Sequence, residues 1–241
     1  MRITPYLKML NPAEMALRRQ RCPLCAFPFL LRLGRQERAV RCARCRAGPI
    51  HLSLAAVIRD ERPDLGDMKV YEMSSRGPLC RMLARDSGAL QLSEYFEDVP
   101  PGECRDGVTC QDVQQLTFPD GSFDLCTSSE VFEHVPDDGA GFRELRRVLR
   151  PGGQAIFTVP LMLDGPTVER AELRSGTLVH HLPPEYHDDC LRGPGRVLAF
   201  RTYGADITRR LEQAGFRAAR IETRYRSHCF GYGRPVVVAS R

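Results

Sequence analysis

Apolar positions along the chain fall into two patterns, short continuous runs and helically spaced sets, and their order predicts an α/β layer structure. The clearest stretch is Leu116–Pro160. Phe123–Ser128 is an apolar run entered through the turn Pro119-Asp120-Gly121. Asp137 and Asp138 are placed to cap the helix that follows. In that helix Phe142, Leu145, Val148 and Leu149 share one face, and Arg143, Glu144, Arg146, Arg147 and Arg150 are left for solvent. Pro151-Gly152-Gly153 stops it, and Gln154–Val159 is a second apolar run. Strand, helix and strand with unbroken apolar strands is the pattern of a parallel sheet covered on both faces.

The same reading extends both ways. Met68–Met73, Ala89–Ser93 and Val108–Cys110 are predicted strands, and Leu79–Arg85 and Ala205–Ala214 predicted helices. Phe216–Tyr225 and Pro235–Ser240 read as an antiparallel pair, joined by a loop, Arg226–Arg234, expected to line a substrate pocket. Leu161–Leu191 is rich in proline, histidine and acid and reads as a lid-like insertion. Residues 51–66 read as a linker that includes a short helix, His51–Ile58. Residues 1–20 read as a peripheral arm, with a helix from Asn11-Pro12 that turns Met15 and Leu17 inward. The expected units are 1–50, 51–66 and 67–241, the last carrying the insertion at 161–191.

Cysteine spacing sharpens the first unit. Cys22, Cys25, Cys42 and Cys45 form C-x2-C-x16-C-x2-C, within the spacing of a four-thiolate zinc site. Four thiolates close the coordination shell, so a structural Zn2+ in a small ribbon is expected. Residues 1–50 hold eleven Arg or Lys against Glu14 and Glu37, whereas the remainder is mildly acidic. A basic head suits a nucleic-acid partner, here RNA, or is simply a solvated arginine-rich surface. No apolar run reaches membrane-spanning length, so no membrane partner and a cytoplasmic location are expected.

Chemistry gathers after the run at 123–128. Glu130, Glu133 and His134 lie at i, i+3 and i+4, so a helix there would carry two carboxylates and an imidazole on one face. Such a set can hold a divalent metal, or His134 can act as a general base. His180, His181 and His187 in the insertion are candidate additions, with His187 favoured. Ser128 and Ser129 end a strand, where open α/β sheets bind ligands.

The phrases FPDGSFDLCTSSEVFEHV and FRELRRVLRPGGQAIFTVP resemble strand four, its loop, helix and strand five of class I S-adenosylmethionine (SAM) methyltransferases, type 11-like. The resemblance covers about residues 67–241. It implies a Rossmann-like, seven-stranded sheet, here behind the zinc ribbon, and methyl transfer from SAM to a small-molecule acceptor, with oxygen the first choice. It places Glu72, Ser74, Ser75 and Gly77 at the cofactor's amino-acid end, Glu94 on the ribose with Tyr95 beside it, and Asp112 and Val113 on the adenine. Ser128 and Ser129 fall beside the reacting centre. Glu130, Glu133, His134 and His187 are the catalytic candidates. E-x-x-E-H is similar to the metal-binding pattern of ubiquinone-pathway and small-RNA O-methyltransferases. Of the family's G-x-G-x-G loop only Gly77 is present. Two other readings fit: an RNA methyltransferase that grips through its basic ribbon, and a non-catalytic methyltransferase-like scaffold.

Overall fold

The computed structural model describes residues 11–189 and 193–241. The first ten residues of the predicted arm, and Cys190 and Leu191 at the end of the predicted insertion, lie outside the described residues.

The amino-terminal part is a three-stranded antiparallel ribbon, β1 (Ala16–Arg19), β2 (Phe29–Arg32) and β3 (Val40–Cys42). The arm differs from the sequence reading. Asn11 caps only a single 3-10 turn, Pro12–Glu14, and the chain then becomes β1, leaving Met15 and Leu17 exposed. Residues 51–66 are packed. α1 (Pro49–Glu61) buries Leu52, Leu54, Ala55, Val57 and Ile58, and Leu65 follows in a buried 3-10 turn. One apolar cluster joins ribbon residues Leu30, Val40 and Ala47 to this helix and to Val70, Leu125, Ile156 and Val238 of the main sheet.

The main sheet is built by β4 (Lys69–Glu72), α2 (Pro78–Asp86), β5 (Ala89–Leu92), a small hairpin of β6 (Cys104–Arg105) and β7 (Val108–Thr109), β8 (Phe123–Ser129), α3 (Asp138–Val148) and β9 (Leu149–Thr158). The insertion then contributes β10 (Leu161–Met162), β11 (Val168–Glu169), β12 (Ala171–Arg174), β13 (Thr177–His180), β14 (Tyr186–Asp189) and β15 (Gly193–Leu198). The chain closes with β16 (Arg201–Gly204), α4 (Ile207–Gln213), β17 (Ala218–Glu222) and β18 (Val236–Ser240).

Strand order in the sheet is β17-β18-β9-β8-β4-β5, with β5, β4, β8 and β9 parallel and β18 antiparallel to both of its neighbours. Six strands are laddered, one fewer than the expected seven. The seventh position is a single parallel bridge from Glu94 to Cys110, because residues 104–109 pair with themselves as a hairpin. The result is a mixed, Rossmann-like sheet with a second apolar cluster on its other face, centred on Phe132, Phe142, Phe157, Leu145 and Tyr203.

The amphipathic helix behaves as its pattern dictates. Asp137 caps α3 by accepting from Ala140 N at 2.9 Å, and Phe142, Leu145, Val148 and Leu149 are buried. Pro151-Gly152-Gly153 does not end it: α3 stops at Val148, the strand begins at Leu149, and these three residues lie within β9, where the register shifts as a bulge. The loop expected at the pocket packs elsewhere. Phe230 sits under the Arg18 and Arg32 guanidiniums, and the Tyr232 hydroxyl donates to the Arg35 carbonyl of the ribbon. Among the described residues no helix is long and apolar enough to cross a membrane.

Candidate functional site

Parallel strands end together, so residues just past β4, β5, β7 and β8 share one sheet edge. A cavity of about 580 Å3 opens there. Six of the candidate residues, Glu94, Tyr95, Asp112, Val113, Glu130 and His134, line it. Tyr71, Ser93, Gln111 and Gln114 join them without having been predicted. Glu72, Ser74, Ser75, Gly77, Ser128, Ser129, Glu133 and His187 are not among the lining residues.

The loop after β4 is tied to the tip of β5. Ser75 donates to Glu94 Oε1 through its backbone N–H at 2.7 Å and its hydroxyl at 2.8 Å. Gly77 takes φ of 104°, which a side chain would strain, and delivers the chain into Pro78 at the start of α2. Glu72 lies beneath, fully buried, and its carboxylate accepts from the Thr127 hydroxyl. Burial pushes Glu72 up to about 8. Asp112 lines the cavity and also closes a turn, accepting from Gln114 N at 2.9 Å. The hydroxyls of Ser128 and Ser129 are buried without a hydrogen-bond partner among the described residues.

Beyond β8 the predicted helix face does not form. Glu130 adopts the left-handed conformation, φ 55°, and only Phe132–His134 make a 3-10 turn. Glu130 is thereby separated from the other two. Its side chain faces the cavity, and its Oε1 is buried with no hydrogen bond among the described residues. Burial, reinforced by the charge of Glu133, raises the Glu130 carboxyl well above its ordinary range.

His187, carried on β14, takes the place expected for Glu130. Glu133, His134 and His187 each bring one ligand atom to within 4.8 Å of the others. His134 Nε2 stands 3.5 Å and His187 Nδ1 3.7 Å from Glu133 Oε1. Both rings are held from behind. His134 Nδ1 is 2.8 Å from the Leu198 carbonyl, and His187 Nε2 is 3.1 Å from Glu185 Oε1. A carbonyl and a carboxylate can only accept, so those outer nitrogens carry the protons. The inner nitrogens therefore turn lone pairs toward a buried carboxylate that has no hydrogen bond of its own among the described residues. Three acceptors facing one point call for a cation, and orientation of ligand histidines by outer acceptors is how metal sites are built. With no ion, a proton serves: the neighbouring Glu133 and Glu185 raise His187 to about 9. His180 and His181 point elsewhere; both are exposed, and His181 lies 3.6 Å from Glu172.

The loop carrying Glu133 and His134 is held by residues that carry no signal in the sequence. Arg201, 4% exposed, donates to the carbonyls of Phe132 at 3.2 Å, Val135 and Pro136 at 2.7 Å. Phe200 N donates to the Glu133 carbonyl at 2.7 Å.

In the ribbon, Cys22, Cys25, Cys42 and Cys45 converge, with Cys22–Cys45 and Cys25–Cys42 sulfur separations of 3.6 Å. Tetrahedral thiolates 2.3 Å from a zinc ion would lie about 3.8 Å apart, so the donor set fits one.

Residues 78–157 match the family described as "Methyltransferase domain". Over that stretch the chain has the sequence of a methyltransferase domain. This domain is 34% identical over 85 residues to a 2-methyl-6-phytyl-1,4-hydroquinone methyltransferase of Synechocystis sp., covering 32% of this chain and 27% of that protein. It is 36% identical over 88 residues to a sarcosine/dimethylglycine N-methyltransferase of Halorhodospira halochloris, covering 35% of this chain and 25% of that protein. The match thus spans about a quarter of the length of these relatives. A SAM-dependent methyltransferase structure from Mesorhizobium loti aligns over 78% of this chain and 98% of its own at 18% identity, with a TM-score of 0.49. The methyltransferase domain match ends at β9, before the insertion that brings His187 to the site.

Proposed function

We propose that the protein is a SAM-dependent methyltransferase acting on an oxygen of a small molecule. The observation that carries this reading is one cavity lined both by strand-tip carboxylates, Glu94 and Asp112, and by Glu130 and His134. A nucleoside offers ribose hydroxyls and an exocyclic amine as donors, and carboxylates at neighbouring strand ends accept from such groups. The cavity's charged lining is acidic, which suits the cationic sulfonium and ammonium. The Ser75 donors on Glu94 Oε1 mark where hydroxyl donors fit.

SAM, when bound, supplies an electrophilic methyl group. The residues of this chain supply position and proton handling. Glu94, with Ser75 against it, fixes the ribose end, and Asp112 and Val113 the base. Glu130 takes the acceptor's proton. Its Oε1 has no hydrogen-bond donor among the described residues, and burial has made the carboxylate a stronger base than an exposed glutamate. Holding acceptor and methyl donor in line at one sheet edge removes much of the barrier.

Glu133, His134 and His187 would hold a divalent cation, which lowers the pKa of a hydroxyl bound beside it. The four ribbon cysteines would hold a structural zinc. Incubation with methyl-labelled SAM and a panel of phenols, alcohols and amines tests the reading. Transfer to a hydroxyl compound, lost in Glu130→Gln, is expected; transfer to amines alone, or to none, would defeat it.

A further inference from the structure

The acceptor half of the cavity is walled by the insertion, and the wall has a definite chemistry. β12 and β13 pair antiparallel with Leu173 directly opposite Leu178; β14 and β15 pair with Tyr186 opposite Leu198. Residues opposite one another across a ladder share a face. All four line the cavity, as do Val197 and Phe200. Two hairpins therefore turn one apolar face each toward the same space. That face is uncovered: Leu173 is 49% exposed, Leu178 42% and Tyr186 53%. Two leucines on one hairpin and a tyrosine on the other, left open to solvent, mark a surface awaiting an apolar ligand.

Charge narrows the class. No Arg or Lys lines the cavity among the described residues, whereas Glu94, Glu97, Asp112 and Glu130 do. Arg234, whose charge is felt by Glu130 from outside the lining, is engaged by Glu37 through two bonds of 2.8 and 2.6 Å. A phosphate or carboxylate on the acceptor's body, packed on the hairpins, would meet acidic side chains and no Arg or Lys from the lining, and an unpaired buried charge is costly.

Resting on the methyltransferase reading, we infer that the acceptor is an uncharged, apolar-bodied hydroxyl compound, an aryl or branched-alkyl alcohol. Its body packs on Leu173, Leu178, Tyr186 and Leu198, and its hydroxyl reaches Glu130 and His134. The same lining disfavours acceptors whose body carries an anionic group, RNA and acidic thioesters among them.

Two probes of one shape test this, 1-naphthol and 1-naphthoate, titrated by fluorescence into the full chain. Naphthol is expected to bind at least about tenfold tighter than naphthoate. Leu173→Glu, on the solvent-open hairpin, is expected to weaken naphthol by about tenfold or more with an unchanged melting temperature. S-adenosylhomocysteine, titrated separately, is expected to bind that variant within about twofold of wild type. Equal or tighter binding of naphthoate, no binding of naphthol, or indifference to Leu173→Glu would overturn the inference. Should Leu173→Glu fail to fold, Leu178→Ser is read by the same criterion. Loss of S-adenosylhomocysteine binding by the wild type would instead remove the cofactor reading, and the naphthol comparison would still decide the acceptor wall.

Discussion

His134 Nδ1 lies 2.8 Å from the carbonyl oxygen of Leu198, so the loop after β8 is oriented by the end of the insertion. The same hairpin carries His187 and, one residue before it, Tyr186 on the cavity wall. One element therefore completes the candidate cation site and shapes the acceptor space. Titration with Mn2+ is expected to show one site, weakened roughly 10–100-fold in Glu185→Ala, which frees the ring from behind, and by a larger factor in His187→Ala. Wild-type affinity in His187→Ala would show that the three groups do not act together.

The ribbon cysteines make a separate statement. Purified protein is expected to hold about one zinc per chain, and Cys42→Ser to lose it. The ribbon's Leu30 and Val40 share an apolar cluster with the sheet's Val70 and Ile156, so chelation is expected to lower the melting temperature of the whole chain rather than release a loose tail. Full zinc-free retention of stability would contradict that coupling.

Arg201 joins the loop to the insertion. Besides the three carbonyls it pairs with Glu169 at 3.0 Å, and Tyr203 beside it donates to Asp138 at 2.9 Å. Arg201→Met leaves those carbonyls without donors and is expected to cost about 3 kcal/mol in urea unfolding, with Mn2+ affinity falling as well. Arg201→Lys keeps the charge but cannot span three carbonyls, so it is expected to fall between the two.

Burial of Glu72 gives the apoprotein a pH signature. Its folded value of about 8 lies above the ordinary 4.5, so between those values the folded state keeps a proton that the unfolded chain releases. Its contribution is complete below about pH 4.5 and lost as pH rises through 8. Glu72→Gln, which still accepts from Thr127, is expected to flatten the fall in melting temperature between pH 5 and pH 8. A wild-type slope unchanged by the substitution would show that the carboxyl is not the source.

The sheet's middle was legible because its signals are local. Apolar runs at Phe123 and Gln154, the Asp137 cap and the α3 face all follow from short-range patterning. The cysteine knuckles were legible for the same reason. The E-x-x-E-H segment misled because a helical face was assumed where Glu130 takes positive φ, a choice set by the tertiary need to turn off β8. His187 entered as one of three histidines, and only strand pairing of β14 with β15 brings it, rather than His180 or His181, to Glu133. Arg201 and the leucine pair on β12 and β13 carry no sequence signal, because their roles arise from contacts spanning more than 60 residues or from a face that strand pairing alone defines. Loss of two glycines after β4 was visible in the sequence, but the compensating tie from Ser75 to Glu94 was not.

Carboxylates at the strand tips are the proposed grip on the nucleoside. Calorimetric titration of S-adenosylhomocysteine into wild type, Glu94→Gln and Asp112→Asn measures this directly. One site per chain is expected, with Glu94→Gln weakened roughly 10–100-fold and Asp112→Asn weakened less, since Asp112 also closes its own turn. No heat with the wild type, or wild-type affinity in Glu94→Gln, would contradict it.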